Sequence, residues 1–162
     1  MMKITKTSLI LILLVLVALV LRFISAYHIA IGTDEMIYSV IPLNIISAGR
    51  LSTVEQAPVY FYLTDIGYKL TGGLSLISGR LPSIIFGSFA VLVVFLITQE
   101  LFGNKNISLL SAFFVAVSGY LLHFGQEMDP TAFFFSLFSF YFFIKGLKGN
   151  PNHIYLSVVF LA

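Results

Sequence analysis

The chain has 162 residues, of which 59% are hydrophobic and only 10% are charged. Soluble domains are about half apolar and about one quarter charged, so this composition excludes a soluble globular protein and predicts an integral membrane protein. A net charge of +2 is too small for a nucleic-acid-binding surface. The absence of cysteine excludes disulfides, thiolate nucleophiles and cysteine-ligated metals.

The hydrophobic runs predict the fold class. A bilayer core about 30 Å thick needs about 20 mainly apolar helical residues. We therefore expect an all-α, polytopic transmembrane protein with a single domain over residues 1–162. Its spans are predicted at about 8–27, 81–101, 107–124 and 130–146, with the start of a fifth at 154–162.

The two ends of the chain need separate comment. The first run resembles the apolar region of a signal peptide, but no small-x-small cleavage site follows it, which favours a retained helix over a cleaved signal. The last run has nine residues, too few to cross a bilayer as a helix. The chain is therefore expected to end inside a span.

Prolines mark the predicted starts of two spans. Pro82 is placed in the first turn of the second span, where a missing N–H costs no hydrogen bond. Asp129 precedes Pro130, a pairing that predicts an acidic helix cap followed by proline at the first helical position.

Basic residues near the span ends predict the orientation, because cytoplasmic segments carry an excess of lysine and arginine. With a cytoplasmic N-terminus, five lysines in short segments lie inside: Lys3, Lys6, Lys105, Lys145 and Lys148. Four basic residues lie at the outer side: Arg22, Arg50, Lys69 and Arg80. We therefore expect a multi-pass cell-membrane protein whose loop 28–79 is extracytoplasmic.

The outer loop 28–79 is expected to carry two amphipathic helices that lie on the membrane surface. The first begins near Thr33, with two acids in its first turn. The second runs from Pro58 to about Leu70. An apolar stripe follows one of its faces (Val59, Leu63, Ile66 and Leu70), and Asp65 and Lys69 lie a turn apart on another.

Two acidic pairs, distant in sequence, fall on the outer side in this topology. Asp34 and Glu35 follow the first span, and Glu127 and Asp129 lie between the third and fourth spans. Carboxylates near the hydrocarbon boundary are costly to desolvate, so they tend to be paired, protonated or functional. The alternative for each is a structural role as a helix cap or a favourable first-turn charge.

Other polar residues also have structural alternatives. Arg22 and Arg80 fit interfacial side chains whose charged ends reach the headgroups. Glu55 and Gln56 fit plain solvated loop residues. None of these residues alone defines a function.

Several short motifs occur in a familiar order. They lie at 33–38 (TDEMIY), 49–50 (GR), 56–63 (QAPVYFYL), 79–83 (GRLPS), 101–103 (LFG) and 128–130 (MDP). In this order the chain resembles the N-terminal part of the C-type (GT-C) glycosyltransferases that use polyprenyl-phosphate sugars. The resemblance is to the branch related to protein O-mannosyltransferases and lipid A aminoarabinose transferases. Gln56 and Ala57 stand where that family usually has His-Pro, and no lysine follows Glu55.

The resemblance implies an inverting glycosyltransferase with a GT-C-like helical fold. It would move a sugar from a polyprenyl-phosphate donor to a hydroxyl or amine of a protein, lipid or glycan. It implies Asp34 as the base and Glu35 in support. Five further residues are expected to bind substrate: Tyr38, Glu55, Gln56, Arg80 and Asp129. Arginine matches phosphate bidentately, which makes Arg80 the candidate for the donor phosphate. A divalent metal near Asp129 or Glu127 is an open possibility.

Two other classes of protein fit parts of the sequence. A non-catalytic membrane subunit, or a truncated inactive fragment of the same fold, would keep the helices without the activity. A transporter or channel segment would place acids at mid-span. Every predicted span interior lacks Asp, Glu, Lys and Arg, apart from Arg22 near one end. The glycosyltransferase is therefore favoured.

Overall fold

The computed structural model describes residues 5–30, 32, 58–73, 75–123, 130–149 and 151–161. These residues form seven α-helices and no strand, which confirms the all-α prediction for this part of the chain. The helices are α1 (Lys6–His28), α2 (Pro58–Thr71), α3 (Leu76–Phe102), α4 (Lys105–Val117), α5 (Gly119–His123), α6 (Pro130–Leu147) and α7 (Asn152–Leu161).

Two of the described helices, α1 and α3, are long and apolar enough to cross a membrane, with mean hydropathies of 3.0 and 2.4. At about 1.5 Å per residue they are about 35 and 40 Å long, which exceeds a hydrocarbon core of about 30 Å. Helix α4 and the part of α6 from Ala132 to Leu147 are apolar but shorter. These helices and the composition describe a membrane protein.

Helix α1 buries only a narrow stripe, formed by Ala18, Arg22 and Ala26 at intervals of four residues. Most of its exposed surface is leucine, isoleucine, valine and phenylalanine. Small residues at helix contacts and large apolar residues outside are typical of helices packed in lipid. Helix α1 therefore contacts its neighbours along this stripe and through the partly buried Leu11, Leu14 and Val15.

Helix α3 is the centre of the bundle and contacts α1, α2, α4 and α6. One cluster of buried residues joins α1, α3 and α4: Ala18, Val91, Phe95, Ala112 and Ala116. A second joins α3 to α6 through Val93, Ile97 and Ile144. Both faces of α3 are thus covered along the middle of the bundle.

Helix α3 begins at Leu76, five residues before the predicted start of the second span. The side chain of Ser75 caps it by accepting from the backbone N–H of Ser78 at 3.1 Å. Pro82 therefore lies inside the helix and has no N–H to donate to the Ser78 carbonyl. That carbonyl lies against Gly67 of α2, where a β-carbon would come within 2.7 Å of the oxygen.

The predicted third span, 107–124, is divided in two. Helix α4 ends at Val117, and Ser118 is extended, with φ −60° and ψ 112°. Ser118 then begins α5, because its carbonyl accepts from the N–H of Leu122 at 2.9 Å and its hydroxyl from that of Leu121 at 3.4 Å. A serine that caps a new helix is the local cause of the break.

The bundle has two distinct ends. Helices α1 and α3 run antiparallel, with Arg22 beside Gly87. Helices α3 and α6 run parallel, with the rings of Phe86 and Phe134 5.2 Å apart. We call the end formed by the C-terminus of α1 and the N-termini of α3 and α6 the loop end, and the opposite end the lysine end.

Candidate functional site

Arg80 joins the start of α3 to the end of α1 at the loop end. Its side chain is 1% exposed. Nη1 donates to the carbonyls of Ala26 and, at 3.1 Å, of Ile29. Nη2 donates to the carbonyl of Ala30 at 3.4 Å. Because the last carbonyls of a helix lack intrahelical partners and carry partial negative charge, Arg80 caps the C-terminus of α1.

The charged end of Arg80 is buried within the bundle and is not extended over its surface. In this structure the guanidinium is turned into the bundle and fixes residues 26–30. The contact with a donor phosphate that the sequence predicts for Arg80 stays a prediction. Its described hydrogen bonds give it a positioning role at the end of α1.

Arg22 is the second buried arginine of this region. It is 3% exposed and donates to the carbonyls of Ala18 at 3.4 Å and of Val115 at 3.5 Å. It thus links α1 to the end of α4, one helical turn from the Ala26 carbonyl that Arg80 binds. Neighbouring helices cover the side chain, so its charged end is not extended over the outer surface of the bundle. Its position at the membrane interface stays a prediction.

Helix α2 turns its polar face inward and its apolar stripe outward. Val59, Ile66 and Leu70 are 48%, 47% and 76% exposed. The buried face carries Tyr60, Phe61, Thr64, Asp65 and Tyr68. An exposed apolar stripe is typical of a helix that lies in a membrane interface, as the sequence predicts for this segment.

Asp65 lies on this buried face of α2. Its residue is only 4% exposed, and its Oδ2 accepts from the Nζ of Lys69 at 2.7 Å. The sequence predicted the spacing of this pair but assigned no function to Asp65. The signal was weak, because i and i+4 charge pairs are common on solvated helix faces.

The lysine end is held by a small charge cluster. The carboxylate of Glu100 lies 4.0 Å from Lys145 Nζ and 3.9 Å from Lys148 Nζ. Lys148 also donates to the backbone carbonyl of Glu100. These contacts tie the end of α3 to the end of α6. Lys6 and Lys105 begin α1 and α4 at the same end, so four of the five lysines predicted on the cytoplasmic side share one end of the bundle.

Most of the predicted site residues lie outside the described residues: Asp34, Glu35, Tyr38, Glu55, Gln56 and Asp129, together with Glu127. Arg80 is the predicted site residue that the structure describes. Within the described ranges no group of three or more His, Asp or Glu side chains could hold a metal ion.

A bundle of apolar helices with buried arginines at one end defines the class, a helical membrane protein. The family is given by the sequence: residues 55–162 match the model of the dolichyl-phosphate-mannose-protein mannosyltransferases. This match covers more than half of the chain, so the chain belongs to this family of mannosyltransferase-like glycosyltransferases, and the resemblance is confirmed. No curated protein and no solved structure matches the chain.

Proposed function

We propose that this protein transfers a sugar from a polyprenyl-phosphate donor to a hydroxyl or amine at the extracytoplasmic face of the membrane. Asp34 would act as the base, with Glu35 in support. Tyr38, Glu55, Gln56 and Asp129 would contact the substrates. The observation that carries the proposal is the capping of α1 by Arg80, because this contact fixes the backbone immediately before the acidic motif.

The length of the chain limits where the acids can be. Asp34 follows Ala30 by four residues, so the two Cα atoms are at most about 14 Å apart. Asp129 is bonded directly to Pro130, the first residue of α6. Because α6 runs parallel to α3 with Phe134 beside Phe86, this start is level with Pro82. Both acidic motifs are therefore joined to the chain at the loop end, where Arg80 lies, which supports a shared site.

The proposed chemistry needs few groups. A sugar phosphate already has a good leaving group, so the enzyme must mainly deprotonate the acceptor and stabilise the departing phosphate. One carboxylate on the acceptor side gives direct displacement with inversion at the sugar carbon. The N-termini of α3 and α6 point toward the loop end, and helix N-termini favour anions such as phosphate.

The proposal is tested by measuring sugar transfer directly, with the chain embedded in membranes. Asp34→Asn should reduce transfer by about 100- to 10,000-fold, which is what a general base supplies, while the thermal unfolding midpoint stays unchanged. Glu100→Gln is the matched control, because it makes the same acid-to-amide change at the lysine end and should retain activity. Full transfer by Asp34→Asn would refute the base assignment. A folded wild-type chain without transfer would favour a non-catalytic subunit.

A further inference from the structure

Two oxygens on the inner face of α2, from the consecutive residues Thr64 and Asp65, lack hydrogen-bond partners. In the part of the chain that the structure describes, Thr64 Oγ1 and Asp65 Oδ1 are buried side-chain atoms with no partner. Thr64 is 1% exposed and Asp65 is 4% exposed. A buried polar atom without a partner destabilises a fold, and two such atoms on one helix face indicate that a ligand binds there.

The packing of α2 on α3 places this pair at the level of Arg80. The hydroxyl of Tyr60 lies 3.5 Å from Ser83 Oγ. The hydroxyl of Tyr68 lies 3.1 Å from where a β-carbon of Gly79 would stand. Thr64 is one helical turn from each tyrosine, so it lies midway between these contacts, beside residues 80 and 81 of α3.

The contact with Lys69 fixes the orientation of the carboxylate. Lys69 binds Oδ2 from the solvent side, with its own side chain 64% exposed. This leaves Oδ1 on the buried side as an acceptor, and the preceding residue on the same buried face carries a hydroxyl that can both donate and accept. An acceptor and a donor–acceptor hydroxyl on the same helix face are complementary to hydroxyl groups, of which a sugar presents several.

We propose that Thr64 and Asp65 bind hydroxyl groups of the sugar on the lipid-phosphate donor. The inference rests on the proposed function, because the donor places its sugar next to its phosphate. Asp65 Oδ1 would accept from one sugar hydroxyl and Thr64 would bond to a neighbouring one. Both are specificity-determining residues: they recognise the sugar and take no part in bond making or breaking.

Comparing two lipids separates the contribution of the sugar to binding from that of the rest of the donor. Binding of dolichyl phosphate mannose and of dolichyl phosphate is measured for the chain in lipid nanodiscs. Thr64→Val and Asp65→Asn should each weaken binding of the mannosylated lipid about tenfold, the size of one hydrogen bond. Both should bind dolichyl phosphate within about twofold of wild type.

Thr71→Val is the matched control on the same helix. Its hydroxyl is bonded to Ser78 Oγ at 2.7 Å and to the carbonyl of Gly67 at 2.9 Å. Thr71→Val should therefore lower the unfolding midpoint by about 2–4 °C without discriminating between the two lipids. Thr64→Val removes a hydroxyl without a partner, so its midpoint should stay or rise.

Each outcome has one meaning. Loss of binding to the mannosylated lipid alone supports the inference. Equal loss of binding to both lipids shows that Thr64 and Asp65 have a structural role. Wild-type binding by both variants shows that only water bonds to these atoms. Either result overturns the inference. If the wild-type chain binds neither lipid, the proposed function itself fails.

Discussion

The side chain of Arg22 occupies the space left by Gly87. A β-carbon at position 87 would lie 2.7 Å from Nε and 3.2 Å from Cδ of Arg22. Gly87→Ala must therefore push the arginine away from its carbonyl partners on Ala18 and Val115. We expect this substitution to destabilise the protein by about 1–3 kcal/mol, as overpacking of a core does. Thermal unfolding in detergent measures the change.

When Arg22 is removed, Gly87→Ala should stabilise the protein instead of destabilising it. In an Arg22→Met background the clash with Nε is gone, and alanine is the better helix former by about 1 kcal/mol. Gly119→Ala provides a second control, because nothing lies within 4 Å of its β-carbon position. Equal destabilisation by Gly87→Ala with and without Arg22 would show that the two residues do not interact.

Arg22 also illustrates what could be predicted from the sequence. The apolar runs indicate α1 and α3 because a helix that crosses lipid has a length and a composition of its own. The burial of Arg22 depends on the register between α1, α3 and α4. A glycine 65 residues away supplies the space, and no local pattern reports that relationship.

The start of α3 also shows which features the sequence predicts and which depend on packing. The sequence predicts Pro82 in the first turn of this helix, but Ser75 caps α3 two turns earlier, so Pro82 lies inside it. The Ser78 carbonyl, which this proline leaves without an intrahelical donor, lies against Gly67 on another helix. Of the candidate site, the loop end and Arg80 could be anticipated from motifs, whereas the partnerless oxygens of Thr64 and Asp65 emerge only from packing.

Gly67 sets the distance between α2 and α3. A β-carbon there would come within 2.7 Å of the Ser78 carbonyl oxygen, and a backbone atom cannot move aside as a flexible side chain can. Gly67→Ala should separate the two helices and destabilise the protein by about 1–3 kcal/mol. Thermal unfolding tests this, with Gly73→Ala as the control, since its β-carbon position is open. An unchanged midpoint for Gly67→Ala would contradict the close approach.

Arg80→Lys keeps the positive charge but loses the planar fork that reaches three carbonyls. We expect the free energy of unfolding to fall by about 1.5–3 kcal/mol, the value of a hydrogen bond to a charged group. Sugar transfer should fall about 100-fold, because small displacements of catalytic groups have effects of that size. Measured together, kcat and the unfolding midpoint distinguish Arg80 from Asp34, whose amide variant should lose kcat alone. A lysine variant with normal kcat would refute the positioning role.

The chain contains no cysteine, so single cysteines can report its orientation in the membrane. Gly73 lies at the loop end and Asn106 at the lysine end, and both are exposed. With a cytoplasmic lysine end, a membrane-impermeant maleimide should label Gly73→Cys in intact cells and Asn106→Cys only after permeabilisation. The physical reason is the retention of lysine-rich segments on the cytoplasmic side. The reverse pattern would place the loop end in the cytoplasm and contradict extracytoplasmic transfer. Labelling of both variants in intact cells would contradict a crossing by α3, which connects the two positions.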